Sequence, residues 1–258
     1  QLTTDGTEKH DLSWHPDGKT LYYISGKCVW RIDVANKSSD FVICLETSKS
    51  LDEFNISPDG ELVALAVNTE LFLLPFDEER LKQIRYNNQL ADLSECESFN
   101  PWEMTEGKPE IVKDVQWSSD GEILSVMVVA PVKGIRGDLV RILEIGDCNQ
   151  RPNRIDEFPG NRFSVDNYSD SPYLQNFAYD GGYLYVFTSF YRNDGYGNLY
   201  IYNADLYTGD EEVNPINGNC CYRDPSFSPD GRYLIFAYQP LEQGAKASLY
   251  YIPFFTIG

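Results

Sequence analysis

Five aspartates recur in nearly the same short string: HPDG at 15–18, SPDG at 57–60, SSDG at 118–121, AYDGG at 178–182 and SPDG at 228–231. Six residues before each of them stand Asp11, Glu53, Asp114, Leu174 and Asp224. Four of these five are carboxylates. Four residues before the same aspartates stand Ser13, Asn55, Gln116, Asn176 and Ser226, all small or polar. Carboxylates backed by amides and hydroxyls suit a hard cation such as Ca2+. They equally suit acid, base or nucleophile chemistry on a glycosidic bond, where facing carboxyls stand roughly 5–9 Å apart. In so acidic a chain they also suit solvated positions at the start of a strand. Lys9, Lys113 and Arg223 lie beside three of the acids and can neutralise them. All three readings stay open at this level.

The segments that must position these residues share one grammar. A short strand comes first: DLSWH, EFNIS, DVQWS, LQNFA and DPSFS. Three residues before the turn Asp is always a large apolar side chain: Trp14, Ile56, Trp117, Phe177 or Phe227. Five before it stand Leu12, Phe54, Val115, Gln175 and Pro225. Alternation places these two positions on one face of a strand. In the turn, Pro presets φ, Asp bonds the backbone ahead of it and Gly accepts positive φ. A near-continuous apolar run follows: TLYYI, LVALAV, ILSVMVV, YLYVF and YLIFAY, as for strands buried on both faces. Third strands read CVWRIDV, ELFLLPF, DLVRILEI, NLYIYNA and SLYYIPF. Weaker fourth strands read FVICL, QIRYN, RIDEF and EVNPI. FDEERLKQIRYN has the look of a helical turn at its start but must also supply one of these.

The turn aspartates are 42, 61, 60 and 50 residues apart. Such a period with about four strands per repeat is that of a β-propeller blade. The expectation is an all-β propeller of four-stranded blades forming a single domain over 1–258. Its blades fall at about 4–45, 51–90, 111–158, 172–217, and 222–258 with 1–3. The ring is either five-bladed or a six-bladed one of which this chain lacks a blade. The last repeat has no fourth strand of its own, and Gln1-Leu2-Thr3 is expected to close it, because an open ring leaves an unpaired edge. The repeated turn is then architecture rather than catalysis.

FSPDGRYLIFAY (227–238), ISPDGELVALAV (56–67), WSSDGEILSVMVV (117–129) and WHPDGKTLYYI (14–24) resemble the TolB-like, WD-like β-propeller repeat. YRNDGYGNLYIYNAD (191–205) is similar to the third-strand segment of such repeats. The resemblance covers nearly the whole chain. It implies an extracytoplasmic, non-catalytic scaffold that binds another protein or peptide. The family is often six-bladed, whereas five repeats are visible here. Some five-bladed propeller glycosidases use channel-facing acids, which makes an enzyme employing Asp11, Glu53, Asp114 and Asp224 the alternative. A third option is the propeller domain of a larger peptidase-like enzyme.

Extra residues sit in two loops, at about 87–110 and 159–173. Long loops on a rigid scaffold carry binding. Trp102 and Phe99 in the first, with Met104, are candidate partner contacts or a lid packed back on the scaffold. Tyr191 and Tyr196 belong to a cluster that either forms a contact surface or packs between blades. NDGYGN (193–198) lacks calcium-loop spacing and reads as a hairpin turn.

Net charge is −19, from 40 acidic and 21 basic residues. That field disfavours nucleic acid and anionic membranes and favours cations or basic partners. No apolar run approaches the roughly 18 residues of a spanning helix, and no signal-peptide pattern opens the chain. The abrupt start suggests a mature form or a domain of a longer protein, expected to be monomeric. Six cysteines occur, none in a C-x-x-C pair. Cys28 and Cys44 flank the hairpin CVWRIDVANKSSDFVIC. They face each other if it turns at Asn36, either as a disulfide or as two small buried residues. The sequons at Asn36, Asn55 and Asn167 carry little weight. There is no G-x-S-x-G and no H-E-x-x-H. His15 occupies the Ser position of a repeat turn.

Overall fold

A computed structural model describes residues 2, 7, 9–68, 70–93, 111–132, 135–146, 153–158, 174–189, 196–203, 208–228 and 232–254. Trp102, Phe99, Met104 and Tyr191, and the loop 159–173, lie outside these residues. The chain divides into two compact units. One comprises Gln1–Val132 and Arg141–Asp156, the other Lys133–Val140 and Glu157–Gly258.

In the first unit, β1 (His10–Trp14), β2 (Thr20–Ser25), β3 (Cys28–Asp33) and β4 (Ser39–Cys44) form a meander in that order. A second sheet holds β5 (Leu51–Ile56), β6 (Leu62–Val67) and β7 (Glu70–Pro75). A third has the order β11-β10-β9-β8, from β8 (Ile111–Trp117), β9 (Ile123–Val132), β10 (Ile135–Glu144) and β11 (Asn153–Phe158). The second unit carries two sheets. One is β12 (Leu174–Tyr179), β13 (Leu184–Ser189), β14 (Leu199–Asn203) and β15 (Thr208–Glu212). The other is β16 (Tyr222–Phe227), β17 (Tyr233–Tyr238) and β18 (Ser248–Pro253). Every sheet begins with the strand that precedes a repeat turn.

The turns behave as their residues dictate. The Asp17, Asp59, Asp120 and Asp180 carboxylates each accept the N–H two residues on, at 2.8, 3.0, 3.0 and 2.9 Å. The glycines after Asp17, Asp59 and Asp120 stand at φ of 66°, 79° and 77°, where a Cβ is strained. Ser57 and Ser118 donate their hydroxyls to the same carboxylates at 2.5 Å. His15 substitutes for that serine, and its Nδ1 accepts the Asp17 N–H at 3.2 Å. These hydrogen bonds hold Asp59 and Asp120 below the usual carboxylate range.

Three fourth strands depart from the expected pattern. EVNPI contributes only Glu212 to a strand, because the fourth strand of its sheet is β15, TGDEE. QIRYN is not a strand. The segment instead continues from α1 (Glu78–Leu81), capped by Asp77, and leads into α2 (Asn87–Leu93). Leu81, Ile84 and Leu90 are buried in the core against β5, β6 and β7. Glu78 draws α1 toward the first sheet, accepting from Tyr22 Oη at 2.7 Å and Arg31 Nη1 at 2.6 Å. A helix that buries leucines on one side and reaches Arg31 with the other has no ladder to offer. In the last sheet, β18 has no strand beyond it among the described residues. Of Gln1-Leu2-Thr3 only Leu2 is described, and it packs against Leu21, Tyr23 and Ile32.

Cys28 and Cys44 are register partners across β3 and β4 and are joined by a disulfide. Cys220 and Cys221 are bonded to each other. Closing a loop of 16 residues restricts the unfolded chain. A Cys28→Ser, Cys44→Ser variant should therefore be less stable by about 3 kcal/mol, read from its urea midpoint and its own m-value, which rises as the unfolded chain loses the cross-link.

Candidate functional site

The first strands of the three sheets in this unit lie side by side, with β5 in contact with both β1 and β8. Asn55 Nδ2 donates to the Val115 carbonyl at 2.8 Å, and Trp117 Nε1 donates to the Asn55 carbonyl at 3.0 Å. Asn55 of the polar column and Trp117 of the large apolar column thus tie β5 to β8.

Three members of the acidic column, Asp11, Glu53 and Asp114, come together on these strands. Each first strand carries a bulge next to it: between His10 and Ser13, Leu51 and Glu53, Val112 and Asp114, Leu174 and Asn176, and Arg223 and Ser226. A bulge re-aims one side chain out of the alternating pattern. Asp11 and Asp224 take φ of 48° and 51° to do so. Asp11 Oδ2 accepts the Phe54 N–H on the neighbouring strand. It also accepts a hydrogen bond from the Glu53 carboxyl.

Glu53 is 6% exposed. Burial, then the charges of Asp11 and Asp114, hold its carboxyl well above the usual range. Burial also pushes Asp11 up to about 6, against the pull of its hydrogen bonds from Glu53 and Phe54. Burial thus favours the protonated form of Glu53, and the two carboxyls titrate as a coupled pair. Asp52, on the same strand, is raised by burial and accepts from Ser50 Oγ and the Asn68 N–H, each at 2.9 Å.

Asp11 and Asp114 thus both act on Glu53. Asp224 belongs to the second unit, has a side chain 56% exposed, and pairs with Arg223 Nε at 3.1 Å. The Arg223 guanidinium also lies 5.9 Å from the Tyr196 ring centre. Lys9 turns to Thr7 Oγ1, at 2.8 Å, and to the face of Tyr23. No group of three or more His, Cys, Asp or Glu among the described residues is placed to hold a metal ion.

The expectation of a common apolar face holds for Phe54 (1% exposed), Val115 and Ile56 but not for Leu12 (66%) and Trp14 (54%). One surface was not anticipated. Tyr233, Ile235, Leu249 and Tyr251 stand 41%, 40%, 80% and 70% exposed on one side of β17 and β18. The signal available in sequence was the uncharged composition of YLIFAY and SLYYIP.

No family model matches the chain, and no curated protein matches it either. Solved structures do. The chain is similar to a putative TolB from Agrobacterium tumefaciens, at TM-score 0.60 and 18% identity, over 96% of this chain and 78% of that one. It is also similar to a hydrazine synthase of Kuenenia stuttgartiensis, at TM-score 0.55 and 15% identity, over 90% of this chain and 62% of that one. A luciferin-regenerating enzyme matches at TM-score 0.56 and 11% identity, over 90% of this chain and 69% of that one. These likenesses support a propeller-type fold, shared by binding proteins and enzymes alike.

Proposed function

We propose that this chain is a non-catalytic binding scaffold for a protein or peptide partner and works outside the cytoplasm. One observation carries the reading: the Asp11 and Glu53 carboxyls are spent on holding β1 to β5. Asp11 accepts the backbone N–H of Phe54 on the next strand and a hydrogen bond from the Glu53 carboxyl. Two carboxyls in direct hydrogen bond leave no room for a sugar between them, whereas glycoside cleavage needs roughly 5–9 Å. Disulfides at Cys28–Cys44 and Cys220–Cys221 suit an oxidising compartment. Likeness to a putative TolB supports the scaffold role by analogy of fold. An oligosaccharide hydrolysis screen tests it. No turnover above background is expected, and turnover abolished by both Asp11→Asn and Glu53→Gln overturns it.

A further inference from the structure

The two disulfides differ in what they join. Cys28–Cys44 bridges two strands and closes 16 residues of chain. Cys220–Cys221 joins neighbours in sequence. A cross-link stabilises by restricting the unfolded chain, and the effect grows with the loop it closes. Between adjacent residues there is no loop to close. The bond also links no two elements, since a peptide bond already joins its ends. What it retains is the chemistry of a two-electron couple.

The pair stands at the foot of β16, within one unit. Ahead of it runs a turn in which Gly218 N–H donates to the Asn214 carbonyl at 3.2 Å and Asn219 N–H to the Ile216 carbonyl at 3.0 Å. Asn217, Gly218 and Asn219 are exposed, Cys220 is half-buried, and Cys221 is 0% exposed. The two cysteines are thus unequal: Cys220 adjoins an exposed turn and Cys221 is enclosed.

The backbone around the bond is held by other means. The Cys221 carbonyl accepts the Gln239 N–H at 3.0 Å. Tyr222 donates its N–H to the Gly197 carbonyl at 2.7 Å and accepts the Gly197 N–H at 3.0 Å. Its hydroxyl accepts the Ile216 N–H at 2.8 Å, which ties the turn to β16. Its ring is buried 5.2 Å from that of Phe236 and 5.1 Å from that of Tyr238. None of these contacts involves a sulfur, so opening the bridge leaves the turn and β16 anchored.

We propose that Cys220–Cys221 is a thiol–disulfide exchange site that accepts two electrons from a dithiol on another molecule. A thiolate of that dithiol attacks the Cys220 sulfur. The S–S bond breaks, and Cys221 leaves as thiolate and takes up a proton. The donor's second thiol then attacks its own sulfur in the mixed disulfide, and Cys220 leaves as thiolate and is protonated. The donor departs as a disulfide and the protein carries two thiols. Exposure orders the steps: the reachable cysteine is attacked and the enclosed one is the leaving group.

The test uses dithiothreitol redox buffers, quenching with iodoacetamide, and mapping of the peptide that carries both cysteines. In untreated protein neither Cys220 nor Cys221 should be alkylated. The pair should open at a ratio of reduced to oxidised reagent at least about tenfold lower than Cys28–Cys44, because folding favours a bond that restricts the unfolded chain and gives nothing to one that does not. Its opening should move the melting temperature by less than about 2 °C. Oxidised dithiothreitol should restore it. Glutathione, a monothiol, should leave its adduct on Cys220. Cys221→Ser should hold that adduct, and Cys220→Ser should react at Cys221 at least about tenfold more slowly.

Two free thiols in the untreated protein overturn the inference, as does pairing of either cysteine with a different one. A pair that opens no sooner than Cys28–Cys44, or only as the protein unfolds, overturns it in favour of a structural bond. Adducts on Cys221 in place of Cys220, or failure of the bond to re-form, overturn it as well.

Discussion

Phe54→Ala is expected to cost about 3–5 kcal/mol of unfolding free energy, while Leu12→Ala, at the same repeat position, stays within about 0.5 kcal/mol. The contrast is the point of the experiment. Phe54 is 1% exposed and belongs to the core of Leu65, Val67, Phe72, Leu74 and Leu81. Its ring lies 5.5 Å from that of Tyr22 and 6.3 Å from that of Phe76. Truncation removes those contacts and leaves a cavity that the stitched strands β1, β5 and β8 cannot close. Leu12 is 66% exposed and has little to lose. Urea unfolding of both variants decides the matter. Equal costs would mean that the repeat position, rather than its surroundings, sets the energy.

Glu53→Gln is expected to flatten the pH dependence of stability between pH 5 and 8. In the folded protein Asp11 is raised to about 6 and Glu53 well above its usual value, chiefly by burial. The folded state therefore holds protons that the unfolded chain releases between about pH 4 and those raised values. The stability this pair contributes is fully present below the unfolded values. It is lost as pH rises through 6 and beyond. The turn aspartates have lowered values, so their contribution is lost only at the acid end. Wild-type melting temperature should fall from pH 5 to 8, by several degrees if the pair dominates. Gln keeps a neutral donor toward Asp11 and cannot ionise, so the variant should melt higher than wild type at pH 8. A variant with the wild-type slope would show that Glu53 does not carry the effect.

Much of the fold was legible because it is written in local chemistry. Asp two residues before the N–H it accepts, Gly at positive φ, and an apolar run after the turn all act within a dozen residues. What failed depended on contacts far along the chain. QIRYN has strand-like residues, yet the helix before it is drawn to Tyr22 and Arg31 on another sheet. Leu12 and Phe54 share a position and differ in what covers them. The acidic column was legible as a column, and its meeting point on β1, β5 and β8 follows from the order of the first strands. That Glu53 is buried and its carboxyl raised was not legible, because its partners are 42 and 61 residues away. Asp224 looks identical in sequence to Asp114, and it sits exposed beside Arg223 in the other unit.

The stitch at Asn55 has a consequence for sugar attachment. Asn55-Ile56-Ser57 is an acceptor sequon for N-linked glycans. Its amide nitrogen, the atom a glycan would occupy, donates to the Val115 carbonyl, and Ser57 is buried beneath it. Asn36-Lys37-Ser38 lies exposed on the β3–β4 turn. In a cell that decorates exported chains, the folded protein would display its carbohydrate at the hairpin tip and keep Asn55 bare.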